Sequence, residues 1–401
     1  MTDTRTPGQL ISTLLVRKGW SQRTLARILD VGESRLTRVI TDKQPVDALF
    51  ALLLQDVFGA PAEQFLALQA NCELAHARRT RTLSPKLTER LRLYGDLPIS
   101  DMIKRGWLDA GAIHDTQAVE TSLLNLFGVD CADHIDDVLG EVRSDDEAKK
   151  NLVHLAWLCR LGQLAGKPDC NRAYSRQALE EALPALRTKM RSRDGVGAVP
   201  SILRDCGVQF ALIEPLKGGE LDGGCIWLNG QRPAIGLSLR HDRLDHFWLV
   251  LRHQIEYILR EDGTHARLVI DFDRHLESPG GSVSAQERFA IEAAQEFCAS
   301  SHQIDEFLQM TGAYVTERDI VQGAARLGVH PGILVATISR RIGKQHSFRR
   351  HALKVRAQLA ENAMVDGWGG RKGDGGRDIG VGGQTAANTL NCPFTGAAEP
   401  A

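Results

Sequence analysis

The stretch LRHQIEYILR, residues 251–260, lies inside a longer amphipathic run, RLDHFWLVLRHQIEYILRE, and its reading decides the fold of the C-terminal half. A helix that carries H-E-x-x-H holds zinc between its two histidines, one turn apart, and uses the glutamate as a base. In that frame this chain reads His253, Gln254, Ile255, Glu256, Tyr257. One imidazole is kept. An amide stands where a base is needed, and a phenol stands where the second imidazole is needed. Gln254 cannot accept a proton near neutral pH. A phenol, with an ordinary pKa of about 10, binds metal only after strong activation.

The flanking sequence has the texture that such a helix requires. Upstream, GVQFALIEPL (207–216), DGGCIWLN (222–229) and PAIGLSL (233–239) read as short strands rich in branched and aromatic residues, punctuated by glycine and proline. Downstream, an irregular segment, DFDRHLESPGGS (271–282), precedes a second helix, SAQERFAIEAAQEFCASSHQIDEFL (284–308). Strands, then a helix with a metal-binding frame, then a helix that supplies an acidic ligand is the zincin plan.

The segment from VPSILRDCGVQF through LRHQIEYIL (199–259), with ERFAIEAAQEFCA (287–299) and GVHPGILVATISRRIG (328–343), resembles the ImmA/IrrE family of metallopeptidase-like domains. The resemblance implies a zinc site whose first ligand falls on His253, whose base falls on Gln254 and whose second ligand falls on Tyr257. The family's third ligand is a glutamate in an E-x-x-A-[D/N]-x-F-A frame. Aligned on Ala294, Gln295 and Phe297, that ligand falls on Ile291; a shifted register offers Glu287 or Glu292 instead. The expectation is therefore a pseudo-metallopeptidase, with no catalytic residue (Gln254 being vestigial), no cofactor, and His253, Tyr257 and Ile291 as vestigial metal positions. Glu256, one turn from His253, and His241, His246, His265 and His275 are the neighbours from which a rewired site could be built.

The N-terminal 80 residues read as five short helices. Thr6-Pro7 is a start signal, a capping hydroxyl followed by a proline at the first helical position. Leu10, Ile11, Leu14 and Leu15 follow at helical spacing. Ser21 caps the next helix, with Leu25, Ala26 and Leu29 inside. After the tight turn DVG, ESRLTRVI places Leu36, Val39 and Ile40 inward. Two short helices joined in this way form a helix-turn-helix, whose second helix enters the DNA major groove. Its outward positions are Ser34, Thr37 and Arg38, with Glu33 and Arg35 near its start. Arg38 can bond a guanine edge bidentately or pair with phosphate, Glu33 can accept from cytosine, and Gln22 can donate to a phosphate oxygen. The order of signals from TPGQLISTLL to ELAHAR resembles the lambda-repressor-like (XRE family) helix-turn-helix, in the branch of HigA-type antitoxins. Asp30 stands where that family usually has glycine, and Thr41-Asp42 replaces a common Asn-Gly.

A net charge of −1 gives the whole chain no attraction to nucleic acid or membrane. Residues 1–92, however, hold fourteen basic against nine acidic side chains, a local balance of +5 that suits a salt-sensitive DNA binder. No apolar run approaches a membrane span. Eight cysteines lie scattered without a C-x-x-C pair, as expected of reduced thiols in a cytoplasmic protein.

The expected fold is α+β, mainly α. It comprises a five-helix DNA-binding domain (1–80), a helical connecting or dimerisation region (81–192) in which Trp107 and Trp157 are core residues, a zincin-like α+β domain (193–360), and a disordered glycine-rich tail (361–401) with Trp368 as a stray exposed aromatic. The expected function is a homodimeric, sequence-specific transcription regulator that binds operator DNA. It would be an antitoxin with a pseudo-peptidase domain that senses or binds a toxin or another protein ligand. Two alternatives are an antitoxin that works mainly by covering its toxin, and a metallopeptidase that cleaves a repressor or toxin.

Overall fold

The computed structural model describes residues 6–144, 150–166, 172–260, 266–270, 285–312, 315–342 and 348–368. His265, His275, Cys170, Cys392 and the tail from residue 369 lie outside the described residues. The architecture is α+β and mainly helical, and the chain divides into two compact units, Met1–Leu87 and Thr88–Ala401.

The first unit is built from α1 (Pro7–Lys18), α2 (Gln22–Ile28), α3 (Glu33–Ile40), α4 (Ala48–Phe58) and α5 (Ala62–Thr80). Local chemistry sets the boundaries. Thr6 and Gln9 form a reciprocal capping box at the start of α1, and Gly19 ends it in the left-handed conformation. Ser21 and Asp47 accept backbone N–H bonds at the starts of α2 and α4. Leu10, Ile11, Leu15, Leu25, Ala26, Leu29, Leu36 and Val39 are buried, as their spacing predicts; Leu14 and Ile40 are half-buried at the edge of the same core. The two departures from the helix-turn-helix pattern occupy the left-handed region, Asp30 at φ 51° and Asp42 at φ 55°. These backbones ask for glycine, and a side chain there costs about 1 kcal/mol. At Asp42 the side chain has a use, since its Oδ1 accepts the Gly8 N–H at 3.1 Å.

The second unit carries α6 (Pro85–Asp96), α7 (Ile99–Lys104), α8 (Thr116–Phe127), α9 (Ile135–Glu141), β1 (Arg143–Ser144), α10 (Leu152–Ala165), α11 (Arg176–Lys189), α12 (Val199–Asp205), β2 (Gln209–Ile213), β3 (Leu221–Leu228) and β4 (Arg232–Leu237). It continues with α13 (Leu244–Leu259), β5 (Arg267–Ile270), α14 (Ala285–Cys298), α15 (Ser301–Thr311), α16 (Glu317–Leu327), α17 (Pro331–Ile342), α18 (Arg356–Ala360) and β6 (Met364–Asp366). One mixed sheet runs β1-β5-β3-β4-β2-β6. The pairs β1/β5, β4/β2 and β2/β6 are parallel, while β5/β3 and β3/β4 are antiparallel.

The strands alternate between two cores. Phe210, Leu212, Cys225, Trp227, Ile235 and Leu237 join the cluster formed with α11–α18. Ala211, Ile213, Ile226, Leu228 and Ala234 join the cluster formed with α6–α10. Each face of the sheet is covered by one deeply buried helix. All of α13 except Glu256 is buried on one side, and all of α10 except Arg160 and Gln163 on the other. At the α10 contact a Cβ on Gly236 would lie 2.6 Å from the Trp157 ring, so only glycine admits that ring there.

This arrangement changes two expected boundaries. The block 81–192, read as a connector, supplies the whole layer on the second face of the sheet. Trp107 and Trp157 are buried in that layer, as expected. Residues 364–366, read as the beginning of the tail, form a strand. Its Asp366 accepts from Trp107 Nε1 at 2.9 Å and pairs with Arg160 Nε at 2.6 Å. Trp368 is half-buried, with the Arg356 guanidinium 4.6 Å above its ring. Cys159, Cys206, Cys225 and Cys298 are buried thiols outside any disulfide, and burial pushes Cys298 up to about 12, which keeps it inert.

Candidate functional site

α13 and α14 pack along their length, and the frame from His253 to Tyr257 lies in their seam. His253 and Tyr257 stand one turn apart on α13 and are both buried. Their rings meet edge to face, with centroids 4.9 Å apart. On α14 the buried positions are Glu287, Ala290, Ala294 and Cys298, a helical stripe turned toward α13. Glu287 ends that stripe opposite the two rings. His253 Nε2 lies 2.8 Å from Glu287 Oε1, and the Tyr257 hydroxyl donates to Glu287 Oε2.

The acidic partner is therefore Glu287, and the alignment that places it on Ile291 is corrected. Ile291 is one turn, about 6 Å, further along α14, where it packs half-buried on the hydrophobic cluster. Glu292 is exposed. Glu256 is also removed from the site: it faces Arg252 Nη2 at 2.8 Å and Arg260 Nε at 3.0 Å.

Gln254 is fully buried, and neither end of its amide finds a hydrogen-bond partner among the described residues. His253, Tyr257 and Glu287 do not fit a catalytic zinc. Such a site needs three protein ligands, an open position and a base. Here the Tyr257 hydroxyl donates to Glu287, and Gln254 offers no base. Imidazole and carboxylate remain, and they face each other.

This geometry simplifies the repair. Gln254→Glu with Tyr257→His restores the H-E-x-x-H frame on the existing Glu287. The double variant is expected to hold one zinc equivalent per chain more than the unmodified protein, measured by elemental analysis after dialysis. Glu287→Gln should abolish the added equivalent. A requirement for Ile291→Glu before any zinc is gained would refute the placement of Glu287.

A second group of side chains gathers where β3, the turn after β4 and the start of α13 meet. Asp222 is buried on β3, His246 is buried on α13, and His241 sits half-exposed between them. Arg240 Nε lies 3.1 Å from Asp222 Oδ1, and its Nη2 lies 3.3 Å from Oδ2. The sequence marks His241 and His246 only as nearby histidines and gives no sign of Asp222. That carboxylate is brought in by strand pairing, with Ser238 N–H bonded to the Asp222 carbonyl at 3.0 Å.

In the first unit the six expected DNA contacts divide. Gln22, Glu33, Ser34, Thr37 and Arg38 are exposed on α2 and α3. Arg35 is half-buried, bonded to Asp47 at 3.0 Å and stacked 5.4 Å above Phe50, so it braces α3 against α4. Glu33 is paired with Arg23 at 3.0 Å, which offsets the repulsion it would otherwise offer to phosphate. The side chain of Arg38 makes no hydrogen bond or ion pair among the described residues. Thr37 Oγ1 donates to the Glu33 carbonyl at 2.9 Å.

No protein-family model matches this chain, and none of the curated proteins compared with it matches either.

Proposed function

We propose that the protein is a cytoplasmic, sequence-specific DNA-binding transcription regulator of the HigA-like antitoxin kind. In this reading its second unit is a pseudo-peptidase that binds a protein partner or ligand rather than cutting one. The observation that carries the reading is the outer face of α3. Glu33 and Arg35 are held by Arg23 and Asp47, while Ser34, Thr37 and Arg38 remain exposed in one row. A short helix that spends its flanking charges internally and leaves one guanidinium outward is suited to a base edge. A homodimer would present two such helices to half-sites about one DNA turn apart. Binding at the second unit would act by favouring one DNA affinity over another. The lack of a base at Gln254 and the closed His253–Tyr257–Glu287 cluster support the non-enzymatic role. Among the described residues no helix is long and apolar enough to cross a membrane.

The test is selection of the preferred operator from random duplex DNA, followed by Arg38→Ala at fixed salt. A loss of about 1–3 kcal/mol, with relaxed preference at one base pair, is expected of a base contact. An unchanged affinity removes Arg38 from the interface. A uniform loss across all sequences, with a shallower salt slope, would make it a phosphate contact instead.

A further inference from the structure

We infer that Asp222, His241 and His246 form a binding site for a divalent first-row transition ion, separate from the vestigial frame at His253. The inference is independent of the DNA-binding reading. His246 and His253 lie on one side of α13, seven residues or about 10 Å apart along its axis, so the two groups do not share ligands.

The geometry is close to that of a metal-bound site. His246 Nε2 stands 3.2 Å from Asp222 Oδ1 and His241 Nε2 stands 3.9 Å from it, and all three ligand atoms fall within 4.8 Å of one another. Two atoms bonded to one tetrahedral zinc at about 2.0–2.1 Å lie roughly 3.4 Å apart. The Asp222–His246 separation already meets that value, and His241 has to close by about half an ångström on Asp222 and by up to about 1.4 Å on His246. His241 can do so: its side chain is 34% exposed and it sits in the turn between β4 and α13. Two of the ligands are fixed. Asp222 and His246 are buried on a central strand and a central helix, which is where a precise constellation is best held.

The remaining contacts suit an ion of this class. The donor set is two imidazoles and one carboxylate, which selects zinc and its first-row neighbours over calcium or magnesium, whose ligands are oxygens. Arg240 pairs with both oxygens of Asp222 at 3.1 and 3.3 Å, the nearer contact falling on Oδ1 itself, and so fixes the orientation of the carboxylate, as outer-shell partners of metal ligands do. The exposed side of His241 is the entry path, and three protein ligands leave a fourth position for water.

The experiment is zinc uptake by the full-length protein, followed by equilibrium dialysis and elemental analysis. The unmodified chain is expected to take up one equivalent at micromolar zinc. His241→Ala should weaken binding by about 100-fold or more, because it removes a direct ligand. Since His241 is half-exposed, this variant should keep its circular dichroism and thermal midpoint in the absence of metal. Asp222→Asn, which is buried, serves as the second variant. His253→Ala must leave the zinc equivalent in place. No uptake by the unmodified chain overturns the site. So does uptake that survives His241→Ala, or uptake that is lost with His253→Ala.

Discussion

Glu287→Leu is expected to destabilise the second unit by about 3–5 kcal/mol, the cost of stranding buried groups whose common partner is removed. Glu287 receives both the His253 contact at 2.8 Å and the Tyr257 hydroxyl. With leucine there, two polar atoms stay buried opposite a side chain that cannot accept from either. The control is Glu292→Leu, five residues along on the exposed side of the same helix, which should shift stability by no more than about 0.5 kcal/mol. Both are read as changes in ΔG from denaturant titrations. A second arm replaces the whole cluster, Glu287→Leu with His253→Leu and Tyr257→Phe. Much of the loss should return, because a well-packed apolar replacement of a buried polar cluster costs little. Equal effects of Glu287→Leu and Glu292→Leu would refute the place given to Glu287.

Acid should weaken the same unit through His154. This residue is buried on α10 beside Gly219, and neither ring nitrogen has a hydrogen-bond partner among the described residues. Burial pushes its pKa down from 6.5 to about 4. The unfolded chain therefore takes up a proton at a pH where the folded chain refuses it. Stability from this residue is whole above pH 6.5 and falls as the pH drops toward 4, below which the loss levels off. The span corresponds to about 3 kcal/mol. His154→Leu has no proton to gain and should remove this part of the slope. Denaturant midpoints of the two proteins at neutral pH and at the acid end measure the difference. Parallel stability curves would mean that His154 is protonated as easily folded as unfolded.

What was legible in the sequence was local. The caps at Thr6 and Ser21 act within three residues, so the starts of α1 and α2 could be read from the chain alone. The core faces of α2 and α3 follow from a 3.6-residue period, and the three central strands from their apolar runs. Partnership between distant segments was not legible. Glu287 and Ile291 are one turn apart on one helix, and only the packing of α14 along α13 decides which of them meets His253. Asp222 lies 24 residues before His246, and strand register brings it into place. The role of α10 did leave a trace. Strands such as QFALI and LDGGCIWL are buried at every position, which requires cover on both faces. The run LVHLAWLCRLGQLA is the apolar helix that supplies the second cover.

The two ends of the sheet also bear on how the protein behaves in a crowded solution. An unpaired strand edge is a template for other chains, and its hazard grows with its length and its apolar content. Here the outermost strands are β1, of two residues, and β6, of three. Behind β6 lies β2, five buried apolar or amide residues that would otherwise offer their open backbone to any passing strand. A short terminal strand, pinned through Asp366 to Trp107 and Arg160, thus acts as a guard against self-association. A nick that removes it would take away few contacts and would still leave β2 with an open edge, the kind of surface on which strands of separate chains pair.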